Sequence, residues 1–106
     1  MKKISFFVGL GFNKDGEELS TKFVQSLRLR AFEKFMEVYG GFTSVQTFGG
    51  YTAKNGEQVF ESGEQFIVYG EQSERTVENT AKFLKELFEQ EQVLYSIEEA
   101  PEARFV

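Results

Sequence analysis

Apolar and polar residues alternate from Lys3 to Gly11, so that Ile4, Phe6, Val8 and Leu10 share one face of a first strand and Phe7 lies on the other. After a loop from Phe12 to Leu19, turned at Asp15-Gly16, the period changes. From Thr21 to Tyr39 the apolar residues Val24, Leu27, Ala31, Phe35 and Val38 recur at helical spacing, and Phe32, Met36 and Tyr39 widen the stripe. Ser20 is the expected N-cap and Gly40 the left-handed stop. Alternation then returns over two arms, Phe42–Ala53 and Glu57–Tyr69, rich in the Thr, Val, Phe, Tyr and Ile that strands favour. Asn55-Gly56 between them predicts a hairpin with a type I′ turn, in which both central residues take positive φ. Gly49-Gly50 and Gly63 interrupt the arms and mark a bulge, a bend or a close approach. A second helix is predicted from Glu74 to about Glu89, capped by Ser73, with Val77, Thr80, Ala81, Leu84, Leu87 and Phe88 as its buried stripe. Val93–Ile97 reads as the last strand, ended by Pro101, and Arg104-Phe105-Val106 as a tail able to pair briefly.

The order β-α-β-β-α-β is the split βαβ, ferredoxin-like pattern of the α+β class: a four-stranded antiparallel sheet with two helices on one face, here as one domain spanning 1–106. Period-two alternation then sets a problem. Phe7, Ile67 and Tyr69 cannot share a face with Phe6, Phe66 and Val68, so both sheet faces carry apolar side chains. A lone copy would expose an apolar patch. Either a homo-oligomer of at least two copies packs sheet to sheet, or a ligand cleft lies over the open face.

Composition removes several classes of chemistry. The chain of 106 residues has no Cys and no His, which excludes disulfides and thiolate ligands and removes the usual neutral-pH base and commonest metal ligand. No metal or other cofactor is expected. The formal net charge of −5 opposes duplex nucleic acid as a partner. The apolar start Ile4–Leu10 is too short for a leader or a membrane span, so no membrane partner is expected and the cytoplasm is the expected location.

Candidate chemistry is sparse. Gly9-Leu10-Gly11 lacks the third glycine of a phosphate-binding loop and reads as a strand end. Asp15, Glu17 and Glu18 lack the spacing of a calcium loop and read as a solvated loop. Glu61 and Glu64 could serve as an acid–base pair, but alternation puts them on opposite faces, and solubility explains them better. Arg28, Arg75 and Arg104 are candidate phosphate contacts. Phe48 or Tyr51 could stack on a base, Asn79 could read a base edge, and Phe7 is the other aromatic the core does not need.

Tyr39-Gly40-Gly41-Phe42-Thr43, Gly49-Gly50-Tyr51, Gly56, Glu61 and Phe88-Glu89-Gln90-Glu91-Gln92-Val93-Leu94 resemble the hairpin and last-strand entry of a wider group of small ferredoxin-like proteins. More loosely, the chain is similar to the phage Thoeris anti-defence sponge family, the first described of those proteins. The likeness follows the element order over nearly the whole chain, and the loop from Phe12 to Ser20 departs from it. It implies a homo-oligomer that binds cyclic ADP-ribose-type signals without cleaving them, and so silences a bacterial immune pathway; a cyclic oligonucleotide is the other small nucleotide ligand expected. It transfers no ligand residue one by one. The residues and the resemblance together point to a phage-encoded nucleotide-binding protein rather than an enzyme. A small-molecule enzyme of the dimeric α+β barrel kind and a structural or interaction module are the alternatives.

Overall fold

The computed structural model describes residues 1–106. Six elements follow one another: β1 (Lys2–Gly9), α1 (Thr21–Tyr39), β2 (Thr43–Thr52), β3 (Gln58–Gly70), α2 (Glu74–Leu87) and β4 (Leu94–Glu99). The strands form one antiparallel sheet in the order β2-β3-β1-β4, the ferredoxin-like arrangement that the element order predicts. The register Ile4↔Val68, Phe6↔Phe66 and Val8↔Glu64 puts the even-numbered residues of β1 and β3 on the helix-covered face. There Ile4, Phe6, Val8, Phe66 and Val68 close on Leu27, Ala31 and Phe35 of α1, Val77, Ala81 and Leu84 of α2, and Phe88 just beyond it. Phe35 is the hub: its ring stacks on Phe66 at 4.7 Å and takes Phe6 edge-on at 5.5 Å.

Both helices begin as their caps dictate. Ser20 Oγ accepts the Phe23 N–H and Ser73 Oγ accepts the Thr76 N–H. Gly40 ends α1 at φ 75°, a conformation that suits glycine. Met36 leaves the predicted stripe and lies 53% exposed. It sits about 100° round the helix from Phe35, away from the core side. The second helix is shorter than predicted, and the tail Arg104-Phe105-Val106 forms no strand.

The predicted interruptions at Gly49-Gly50 and Gly63 do not break the ladder, which runs in register from Thr43↔Ile67 to Thr52↔Gln58. Gly63 serves close approach instead, since a Cβ there would meet the Val8 carbonyl oxygen at 2.6 Å. The turn also differs from the type I′ expectation. Gly56 has φ 87°, but Asn55 has no positive φ. The Gly56 N–H donates to the Ala53 carbonyl, the Ala53 N–H donates to the Glu57 carbonyl, and Asn55 Oδ1 accepts the Glu57 N–H. This is a three-residue loop with its left-handed residue last, and Asn55 contributes its side chain rather than its φ.

One charged group lies in the helix-facing layer. Glu64 is 1% exposed and receives Arg28 of α1 in a two-pronged ion pair, Nε to Oε1 at 2.7 Å and Nη2 to Oε2 at 3.0 Å. Reading Glu64 as a solubility residue is therefore corrected: its even position on β3 carries it inward, where only a partner makes the charge tolerable. On the other sheet face Phe7, Val45, Tyr69 and Leu94 are exposed, as the alternation requires.

Two outcomes follow from this packing. Gly56→Val should lower stability by about 1 kcal/mol or more, since a β-branched residue resists positive φ; an unchanged melting temperature would contradict the observed turn. Arg28→Met strands a buried carboxylate and should cost about 3 kcal/mol, while Arg28→Met combined with Glu64→Leu should recover most of it. Denaturant melts compare the two. Equal loss in the single and double variants would show that the burial of Glu64 does not depend on Arg28.

Candidate ligand-binding site

Past Gly9 the sheet narrows to two strands. β1 pairs with β3 only as far as Gly9↔Gly63, whereas β2 and β3 continue together from Phe48↔Ser62 to Thr52↔Gln58. These outer pairs form a ribbon that extends beyond the core and would wave free without anchors. It has two anchors beyond the backbone. The Lys54 ammonium at its tip meets the Glu91 carboxylate at 2.9 Å, and the hydrogen bond holds that ammonium more firmly protonated. The pair is exposed and contributes little. The stronger tie is Glu61. One oxygen of its carboxylate, Oε2, accepts both the Gly11 N–H at 3.0 Å and the Phe12 N–H at 3.1 Å. Hydrogen bonds to a charged acceptor contribute roughly 1.5–3 kcal/mol each.

The backbone is cut back to admit that carboxylate. Neither Gly9 nor Gly11 has positive φ, so neither is glycine for conformational reasons. A Cβ on Gly11 would stand 2.8 Å from Glu61 Cβ, and one on Gly9 would collide with the Glu61 carboxylate. The loop that carries the donors is also held. The Gly11 carbonyl accepts the Leu19 N–H at 2.8 Å, and the Phe12 carbonyl accepts Nε2 of the buried Gln90 at 2.8 Å. The next residue of the loop but one, Lys14, donates its N–H to the Glu89 carbonyl at 2.7 Å. Glu89 turns there with φ 52°, unusual for a residue other than glycine.

The ribbon, the β1–α1 loop and the start of α1 enclose a cleft of about 500 Å³, within the range of small-ligand sites. Leu10, Phe12 and Leu19 form the loop side, Thr21, Val24 and Gln25 the helix side, and Gln46, Phe48, Phe60 and Ser62 the hairpin side. Phe48 and Phe60 stand 74% and 63% exposed at its rim, diagonal neighbours on one face of the ribbon. The charges lining it are Glu18, Glu61, Glu64 and Arg28: three carboxylates against one guanidinium. The hydrogen bonds from Arg28 to Glu64 keep that guanidinium protonated against the opposing effect of burial, and both groups are spent on each other. On the other side of the ribbon Phe7 and Tyr51 flank a shallower hollow of about 190 Å³ floored by Gly9, Gly49, Gly50 and Gly63. Glu61 lines both spaces and forms the seam between them.

The predicted site residues thus divide. Arg28 and Phe48 meet in the larger cleft, and Phe7 and Tyr51 across the seam. Arg75 and Asn79 lie exposed on α2, and Arg104 in the tail donates to the Glu102 carbonyl; none of these three lines either space. Solubility does not account for Glu61, because its carboxylate ties the ribbon down. Phe60, Gln46 and Gln25 carry no motif, and Gln90 stands in the resembling Phe88–Leu94 segment without a role assigned to it. The pair Gly9 and Gly11 is a further signal, and its meaning is space for a carboxylate rather than for phosphate. No group of three or more Asp, Glu, His or Cys side chains is arranged to hold a metal ion, and no helix is long and apolar enough to cross a membrane.

No protein-family model matches the chain, and no curated protein matches it significantly. Solved structures do. A phage SAM lyase in complex with S-methyl-5'-thioadenosine is similar to it at 26% identity, covering 92% of this chain and 80% of that one with a TM-score of 0.68. The phage SAM lyase in its apo state follows at 23% identity and a TM-score of 0.61, covering 92% of this chain and 78% of that one. The periplasmic divalent cation tolerance protein CutA from Archaeoglobus fulgidus has a TM-score of 0.61 at 9% identity, covering 98% of this chain and 88% of that one, a likeness of fold alone.

Proposed function

We propose that the chain binds S-adenosylmethionine, a nucleoside bearing a sulfonium cation, in the larger cleft and splits S-methyl-5'-thioadenosine from it. The observation that carries this reading is the charge of the cleft. Arg28 is neutralised by Glu64, so the surplus carboxylates Glu18 and Glu61 face a ligand with no cation free to receive an anion. Such a wall favours a cationic nucleoside. It disfavours the dianionic cyclic nucleotide that the sponge resemblance implies. Phe48 and Phe60 supply flat faces for a base, and the cleft is large enough for a nucleoside. The similarity to a phage SAM lyase holding a thionucleoside supports the same ligand class. The phage origin of that neighbour supports reading this chain as a phage product that acts against host defence, inside the host cell, by removing a small molecule.

The proposed chemistry suits a chain without His or Cys. The sulfonium is already a good leaving group. The bond between sulfur and the methylene carbon of the amino-acid arm breaks, and its electron pair returns to sulfur, giving the neutral thioether. An oxygen of the substrate's own carboxylate closes on the vacated carbon as a lactone. No proton moves and no protein base is needed, so the protein's part is to bind and align. On the open sheet face, Phe7, Ile67 and Tyr69 support assembly into a homo-oligomer of at least two copies, with Tyr69→Lys expected to weaken it in sedimentation.

The test is incubation of the purified protein with S-adenosylmethionine, followed by mass spectrometry. Appearance of S-methyl-5'-thioadenosine in step with loss of substrate is expected. Tight binding with the nucleoside recovered intact would make the protein a sequestering agent. Binding of cyclic ADP-ribose isomers or cyclic oligonucleotides in preference to S-adenosylmethionine would overturn the cationic reading. Phe48→Ala with Phe60→Ala should weaken nucleoside binding about tenfold or more, at roughly 1–3 kcal/mol per stacking face. Both side chains are exposed, so the melting temperature should hold.

A further inference from the structure

We propose that the Gly11 and Phe12 N–H groups form the subsite for the carboxylate of the ligand, and that Glu61 occupies it as a stand-in which the ligand displaces. This rests on the sulfonium-nucleoside reading and places the one part of that ligand, its anionic end, for which the acidic cleft has no free cationic side chain. Three observations carry it. First, the two N–H groups converge on a single carboxylate oxygen, at 3.0 and 3.1 Å, so the geometry of a bound carboxylate is already present. Adjacent backbone N–H groups of this kind are an anion-binding device in their own right. Second, the subsite does not depend on Glu61 for its shape. The Gly11–Phe12 peptide, which carries the Phe12 N–H, is held through its carbonyl by the Leu19 N–H, and the peptides on either side of the donor pair are held by the Leu10 N–H on the Ser62 carbonyl and by Gln90 Nε2 on the Phe12 carbonyl, so the loop keeps its place when the carboxylate leaves. Third, Glu61 has no cationic partner. Its carboxylate is hydrogen-bonded only to those two N–H groups, and the residue lines the cleft on one side of the ribbon and the hollow on the other.

Exchange is therefore balanced in hydrogen bonds. A ligand bringing both a carboxylate and a cation replaces one carboxylate on the N–H pair by another, so no buried donor is left empty. The released Glu61 gains a counter-ion in the ligand's ammonium or sulfonium. A ligand with cations alone can draw Glu61 away only by leaving two donors unpaired. The site should thus select zwitterionic nucleosides over purely cationic ones. Simple electrostatics in a cleft with surplus carboxylates would favour the reverse order, which makes the inference sharp.

The experiment uses the full-length, unaltered protein and three stable probes: S-adenosylhomocysteine, its decarboxylated counterpart and S-methyl-5'-thioadenosine. Amide NMR follows Gly11 and Phe12 while calorimetry gives affinities. S-Adenosylhomocysteine should move both amide signals and the Glu61 carboxylate signal. The decarboxylated probe should bind at least tenfold more weakly, and S-methyl-5'-thioadenosine should bind with the Glu61 carboxylate signal unmoved. Equal or tighter binding of the decarboxylated probe, or binding of S-adenosylhomocysteine with the Glu61 signal unmoved, would overturn the exchange while leaving the nucleoside site intact. Failure of all three probes to bind would instead remove the nucleoside reading, and the inference with it.

Discussion

The carboxylate of Glu61 on the Gly11 and Phe12 N–H groups is the contact that shapes the candidate site before a ligand enters. Without it the outer ribbon would be held only by its own ladder, the Leu10-to-Ser62 backbone bond and one exposed ion pair at its tip. With it, the ribbon is fixed against the β1–α1 loop and the space between them becomes a cleft. Support for the contact comes from far along the chain. Gln90, beyond α2, holds the Phe12 carbonyl, and Glu89 beside it holds Lys14. The second helix thus shapes a cleft that none of its residues lines.

Electrostatics then decides what the cleft can take. A buried carboxylate on the inner face of β3 demands a cation, and Arg28 is the one that reaches it. This ion pair ties α1 to the inner face of β3, and it also removes the cleft's single guanidinium from service. The cleft is left with carboxylates, aromatic rims and backbone donors, the set on which the proposed sulfonium-nucleoside ligand rests. The same pair explains why Arg28, expected from the sequence to contact phosphate, is engaged within this chain. Arg28 is spent, while Arg75 and Arg104 lie outside the cleft.

The fold was largely legible because its signals are local and periodic. Alternation in β1, the helical stripe from Val24 to Val38 and the Ser20, Gly40 and Ser73 termini each specify an element without reference to the rest. The turn was less legible: Asn55-Gly56 suits both a two-residue and a three-residue loop, and the pairing of Ala53 with Glu57 selects the second. The site was mostly hidden. Alternation correctly placed Glu61 and Glu64 on opposite faces, but nothing local tells a glutamate tied to a distant backbone from one in water. Gly11 and Glu61 lie fifty residues apart, and their bond exists only once β3 is paired beside β1. Gln90 and Phe12 are farther apart still, at 78 residues.

The central claim is that the cleft receives a cationic nucleoside. It is tested most directly by calorimetry with two ligands that differ at one position: S-adenosylhomocysteine, with its neutral thioether, and a non-cleavable analogue in which a protonated amine replaces the sulfonium. The expected result is tighter binding of the cationic analogue at low salt, with the difference shrinking as added salt screens the exposed part of the cleft. Equal affinity at every salt concentration, or preference for the neutral thioether, would contradict it.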